Sequence, residues 1–369
     1  MNPSLNATLA RVIRRDIHSM HAYAVQPSAG LIKLDTMENT HRLPEALQHA
    51  LGERLGRVAI NRYPAERGDD LRHALAAHAG MPAGCELMLG NGSDELISLL
   101  AMACDVPGAS VMAPLPGFVM YAMSAALQGL QFVGVPLTAE FELDEAAMLA
   151  AIEQHRPSLL YLAYPNNPTA NLWDDAVIDR CIKAVGRVNG LVVMDEAYQP
   201  FAARDSVTRL TRYPHVLLMR TMSKFGLAGV RIGYLMGQRE LIQEIDKLRP
   251  PFNVSVLNAE AGLFALEHAD EYRRQAEAIR SERERVFAWL ADTPGVHPYP
   301  SQANMILVQV VDGHADAAAV FAGMRQRGVL IKNVSAMHPL LANCVRITIG
   351  QADENQQMIA ALRASLSNT

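Results

Sequence analysis

The chain has 369 residues, half of them apolar, with 33 basic and 38 acidic side chains and a net charge of −5. That length predicts two or three domains around a large core, and mild acidity without long runs of like charge speaks against a nucleic-acid footprint or a polybasic membrane surface. No apolar run approaches the roughly 20 residues that cross a bilayer, and the first residues lack a basic stretch leading into an apolar one, so a cytoplasmic enzyme is expected.

Residues 1–40 read as an arm with a short helix, and 30–34 as a strand leading into Asp35-Thr-Met-Glu38-Asn39. Tyr23 lies in this arm, where a packing role is as good a reading as a functional one. Asn61-Arg-Tyr63-Pro64 is a turn with a proline-restricted entry. Residues 86–89 read as a strand and 93–104 as a helix, joined by Gly90-Asn-Gly92. Asp94 and Glu95 fall in that helix's first turn, where acidic residues suit the dipole. A strand, a glycine turn and a helix N-terminus form a ready anion site, although many α/β turns look the same. Residues 110–113 form another strand, followed by Pro114-Leu-Pro-Gly-Phe118-Val-Met-Tyr121. Phe118 and Tyr121 suit either a core or a flat surface beneath a heteroaromatic ring.

Residues 158–163 are a buried strand ending in Tyr164-Pro-Asn-Asn167-Pro168-Thr169, whose X-Pro steps are expected to run extended. The ends of α/β strands are where ligands sit. Residues 191–194 lead into Asp195-Glu196-Ala197-Tyr198, and a carboxylate at the end of an apolar strand is costly to bury without a partner. Residues 215–219 lead into Arg220-Thr221-Met-Ser223-Lys224-Phe-Gly-Leu-Ala-Gly-Val-Arg231. Its hydroxyls and Arg231 can bind phosphate oxygens. A lysine withdrawn from water loses basicity and becomes a nucleophile able to form a Schiff base. Gly226 and Gly229 are expected to let the backbone approach a ligand closely.

Helical composition then covers 239–248, 255–268 and 270–291, with Pro250-Pro251 separating the first two. A strand at 304–310, a helix at 315–326, strands at 328–332 and 344–350 and a last helix at 353–365 complete the chain. Arg346 sits mid-strand between Val345 and Ile347, an expensive place for a permanent charge unless an anion meets it. The four cysteines are scattered and the twelve histidines show no ligand spacing, so no metal site is expected.

Asn-Pro-Thr at 167–169, Asp-x-x-Tyr at 195–198, Ser-Lys at 223–224 and Arg-x-Gly at 231–233, in that order, resemble the motifs of pyridoxal-phosphate enzymes of the aspartate aminotransferase fold. Among these the chain most resembles the histidinol-phosphate aminotransferase family, along nearly its whole length. The resemblance implies pyridoxal 5'-phosphate as cofactor, carried on Lys224, with Asp195 on the pyridine nitrogen and Tyr198 and Asn167 on the phenolic oxygen. It implies phosphate contacts from Gly92, Ser93, Asp94, Thr221, Ser223 and Arg231, and Phe118 against the ring. Tyr63 is implied to cross to the phosphate of a partner subunit in a homodimer. Arg346, Lys332 and Tyr23 are implied to bind the substrate, with Asn167 beside them. Thr40, Ala170 and Lys332 depart from the family's Pro, Gly and usual Arg.

The expected fold is α/β, a large domain over 45–255 with a mostly parallel mixed sheet flanked by helices. The expected smaller α+β domain comprises the arm at 1–44 and residues 256–369. The implied activity is transfer of the amino group of L-histidinol phosphate to 2-oxoglutarate. An aromatic or other amino-acid aminotransferase and an amino-acid-phosphate decarboxylase remain open on the same motifs.

Overall fold

The computed structural model describes residues 3–18, 20, 26–64, 66–311 and 315–366. Met1–Gly30 forms a unit of its own, with helices Pro3–Val12 and Arg15–His18. The rest of this section concerns the second unit, Leu31–Thr369.

Its strands are β1 (Ile32–Lys33), β2 (Cys85–Gly90), β3 (Ser110–Leu115), β4 (Gln131–Pro136), β5 (Leu159–Ala163), β6 (Leu191–Asp195), β7 (Val216–Thr221) and β8 (Gly233–Gln238). They continue with β9 (Val296–Pro298), β10 (Met305–Val310), β11 (Val329–Leu330), β12 (Lys332–Asn333) and β13 (Cys344–Thr348). Among the described residues the large sheet has the order β2-β8-β7-β6-β5-β3-β4. Strands β4, β3, β5, β6 and β7 run parallel, β8 is antiparallel to β7, and β2 is antiparallel to β8. The carboxyl ends of β2, β3, β5, β6 and β7 and the amino end of β8 therefore meet along one edge. The expected α/β fold with a mostly parallel mixed sheet is borne out.

Strands β5, β6 and β7 carry apolar runs that are broken only at the carboxyl ends of β6 and β7, because both of their faces are covered. Successive side chains alternate between the faces. Leu160, Leu162, Met194 and Leu218 enter one apolar cluster, and Leu159, Tyr161, Val193 and Leu217 enter the other. Burying each such side chain contributes about 1.5–3 kcal/mol.

A second sheet, β12-β13-β10-β9, carries its own core with the helices Ala269–Ala291, Ala317–Gln326 and Ala352–Leu366. Residues 328–332 do not make the single strand expected. Val329 and Leu330 pair in parallel with Ile32 and Lys33, whereas Lys332 and Asn333 pair with β13. Ile331, fully buried between them, is the bend at which the chain leaves one sheet for the other.

Candidate active site

One cleft opens along the shared edge of the large sheet. Its lining includes Ser93, Asp94, Phe118, Asn167, Asp195, Tyr198, Thr221, Ser223, Lys224 and Arg231. Ten of the residues singled out in the sequence thus meet in one place, although 138 positions separate Ser93 from Arg231.

The Lys224 amine donates to the carbonyl of Thr36 at 3.0 Å and lies 5.9 Å from the Tyr198 ring centre. Its pKa falls to about 8, chiefly because burial penalises the charged form, with Arg346 adding positive repulsion. That is the lysine a Schiff base requires. Across the cleft, burial pushes the Asp195 carboxyl up to about 6, against the hydrogen bonds that it accepts. Those come from the Tyr121 hydroxyl to Oδ2 at 2.6 Å and from the Ala197 amide to Oδ1 at 3.0 Å. No ion pair reaches Asp195 among the described residues. Glu196, its neighbour in sequence, faces the opposite side of the strand end and pairs with Arg220 at 2.8 Å. Arg220, the first residue of the lysine segment, therefore serves this buried pair rather than the cleft.

At the anion end, Gly92 precedes the helix Ser93–Ala103 with φ +81°. A Cβ there would stand 2.5 Å from the Arg231 guanidinium. The amino end of the helix, the Ser223 hydroxyl and Arg231 converge here, with Arg231 Nη1 3.5 Å from Ser223 Oγ and Nη2 3.4 Å from Asp94. Thr221 accepts from the Ser223 amide at 3.1 Å and donates to the carbonyl of Ile232, which holds the turn. Arg231 itself is left-handed, at φ +56°. Gly226 does not serve a ligand: its φ of +136° and the Tyr272 ring, 2.9 Å from where a Cβ would be, show that it makes room for an aromatic. Nothing lies within 4 Å of a Cβ at Gly229.

Arg346, in β13, reaches the wall of the cleft at Asn167 without lining it. Its Nη1 donates to Asn167 Oδ1 at 2.6 Å and its Nη2 to the carbonyl of Asp35 at 2.8 Å. Lys332 does not line the cleft, but stands directly across the strand pair from Arg346. Tyr63 lies outside it as well, 77% exposed and stacked on Phe252 at 4.7 Å. Tyr23 lies outside the described residues. Pro165 and Pro168 follow cis peptide bonds and residues 167–169 turn, so the segment does not run extended as expected.

Sequence reasoning left five lining residues without a function, Met37, Tyr121, Ala163, Pro165 and Ala197, and two of them are informative. Tyr121 sits one helical turn beyond Phe118, which puts both on the same helix face; that spacing was the available signal. Met37 lines the cleft at φ +53°, with its amide donating to Thr348 and its carbonyl accepting from Asn304. Nothing in its residue type signalled that backbone.

Residues 29–362 match the family model for aminotransferase class I and II. The chain belongs to the class I and II aminotransferases. Among class I and II aminotransferases, it is 67% identical to histidinol-phosphate aminotransferase of Methylibium petroleiphilum, covering 99% of this chain and 97% of the relative. It is 63% identical to the enzyme of the same name from Polaromonas naphthalenivorans, over 98% of each. The crystal structure of histidinol-phosphate aminotransferase from Sinorhizobium meliloti in complex with pyridoxal-5'-phosphate is 28% identical and superposes with a TM-score of 0.82, over 96% of this chain and 98% of that one. As a class I and II aminotransferase the protein uses pyridoxal 5'-phosphate. The residues present fit that group. A buried carboxylate met only by neutral donors suits a cationic ring nitrogen, and a glycine at a helix N-terminus beside a guanidinium and a hydroxyl suits a phosphate.

Proposed function

We propose that this aminotransferase moves the amino group of L-histidinol phosphate to 2-oxoglutarate, yielding imidazole acetol phosphate and L-glutamate in histidine biosynthesis. The observation that carries this reading is the single cleft shared by Lys224, Asp195 and Arg231, with Arg346 bonded to its wall at Asn167. The relatives at 67% and 63% identity carry that activity in their names.

Pyridoxal phosphate supplies an aldehyde carbon that accepts the amino group and a ring that takes up the electron pair left when the Cα–H bond breaks. Each side chain has a role toward it. Lys224 holds the cofactor and then carries the proton from the substrate Cα. Asp195 keeps the ring nitrogen protonated. Tyr198 and Asn167 hold the phenolic oxygen, and Phe118 lies against the ring. Gly92, Ser93, Asp94, Thr221, Ser223 and Arg231 surround the phosphate. Arg346, Lys332 and Tyr23 take the substrate's anionic group.

The reading extends to a large domain at 45–255, a small domain from 1–44 and 256–369, a cytoplasmic location, and a homodimer in which Tyr63 reaches the partner's phosphate site. Exposed Ile60, Tyr63 and Phe252 support a subunit-facing surface. No helix among the described residues is long and apolar enough to cross a membrane.

The experiment is an absorbance spectrum of the protein loaded with pyridoxal phosphate. A visible band that fades on adding L-histidinol phosphate and returns with 2-oxoglutarate is the expected result. A band that answers only to aromatic amino acids overturns the substrate, and no band with Lys224 intact overturns the site.

A further inference from the structure

Tyr121 is 3% exposed, and its ring lies parallel to Tyr161 at 4.2 Å and edge-on to Phe118 at 5.6 Å. Two aromatic neighbours fix the plane of the phenol, and thereby the direction of its hydroxyl. That hydroxyl donates to Asp195 Oδ2 at 2.6 Å, while the Ala197 amide donates to Oδ1 at 3.0 Å. Each carboxylate oxygen is thus engaged from one side, and the carboxyl plane cannot swing without losing a bond.

We infer that Tyr121 is a positioning residue for the reaction, aiming the Asp195 carboxylate into the cleft and holding it in its charged form. The inference rests on Asp195 facing the cofactor's ring nitrogen. A hydrogen bond donated to the charged form of an acid favours that form. Burial works the other way and pushes Asp195 up to about 6. Tyr121 is the opposing influence: without it, the buried carboxyl takes up a proton nearer neutrality and loses the charge that a cationic nitrogen needs. Tyr161, stacked on the same ring, has a hydroxyl without a hydrogen-bond partner and provides the control for packing alone.

The test uses Tyr121→Phe, which keeps the ring and its two aromatic contacts, beside Tyr161→Phe. In the cofactor-free protein, the infrared band of the protonated carboxyl is followed against pH and assigned by its loss in Asp195→Asn. The expected result is a midpoint about one pH unit higher in Tyr121→Phe, a tenfold tighter proton, and no movement in Tyr161→Phe. In the loaded enzyme, Tyr121→Phe is expected to lower kcat roughly tenfold with KM nearly unchanged, as an interaction used after binding does. It is also expected to raise the cofactor's dissociation constant. An unmoved carboxyl midpoint in Tyr121→Phe, or equal movement in both variants, overturns the inference. A wild-type protein that develops no visible band with pyridoxal phosphate instead overturns the assignment of the site, so the two failures are distinguishable.

Discussion

Lys332 and Arg346 stand directly opposite each other across the antiparallel pair β12–β13. Opposed residues in such a pair project from the same face of the sheet. The two cations that the family resemblance implies for the substrate anion therefore share a side, and the shorter strand contributes the more compact charge. Lys332→Ala is expected to raise KM for L-histidinol phosphate about tenfold, the loss of one charge-assisted contact worth about 1.5 kcal/mol. Lys332→Arg is expected to restore it. Arg346→Ala, which also strips Asn167 of its donor, is expected to raise KM more. Steady-state kinetics with both substrates varied checks all three.

Asp195 imposes a stability cost on the cofactor-free protein that Asp195→Asn removes. The folded carboxyl titrates near 6 rather than its ordinary 3.8, mainly through burial. Below about pH 4 both folded and unfolded states hold the proton and the cost is absent. Between 4 and 6 only the folded state holds it, so wild-type stability falls as pH rises, and above 6 the loss is constant. Asp195→Asn is expected to be more stable than wild type by about 3 kcal/mol at pH 7.5, with no difference at pH 4. Urea melts of both proteins at the two pH values measure this. The same variant is expected to lose most of its transaminase activity.

Lys224 sets a pH dependence for cofactor attachment. Its amine loses the proton near 8 instead of near 10.5, first through burial and next through Arg346. Only the neutral amine attacks an aldehyde, so attachment is expected to speed up about tenfold per pH unit below 8 and to level off above it. Removing the positive neighbour in Arg346→Gln is expected to move that midpoint upward. Stopped-flow absorbance on the cofactor-free protein follows the rate directly.

Arg220→Ala leaves Glu196 buried without its countercharge. Glu196 is 1% exposed and Arg220 6%. Breaking such a pair from one side costs about 3–5 kcal/mol. A denaturant midpoint within error of wild type sinks this prediction. The double variant Arg220→Met with Glu196→Gln is expected to recover part of the loss.

Much of the site was legible because its residues sit at the ends of apolar runs, and those runs are buried strands. Leu191–Asp195 and Val216–Thr221 put Asp195 and Thr221 where a doubly covered sheet places ligands. What spacing could not show was direction. Asp195 and Glu196 look like one acidic pair in the sequence, yet the pleat sends one into the cleft and the other to Arg220. Tyr121 looks like core, which it is, and its function lies in a single oxygen at the ring's edge. Gly226 looked like room for a ligand because a glycine's neighbour is not written beside it; the neighbour is Tyr272, nearly fifty positions on. The break at Ile331 escaped notice because each of the flanking pairs is two residues long, too short for a period.

The departure at Ala170 takes on meaning from its backbone. It is fully buried at φ +63°, where glycine is at ease and an L residue bears strain of about 1–2 kcal/mol. That accounts for glycine being the family's usual residue there.

Lys224 follows a strand of the large sheet and Arg346 lies in a strand of the smaller one, yet they rest on consecutive carbonyls, Lys224 on Thr36 and Arg346 on Asp35. Each nitrogen points along a fixed line toward a neutral oxygen. An anion arriving at Arg346 is expected to replace a neutral acceptor with a charged one. For Arg346, 7% exposed, most of the dehydration that binding a charged ligand demands accompanies folding, and the carbonyl of Asp35 fixes the guanidinium's direction.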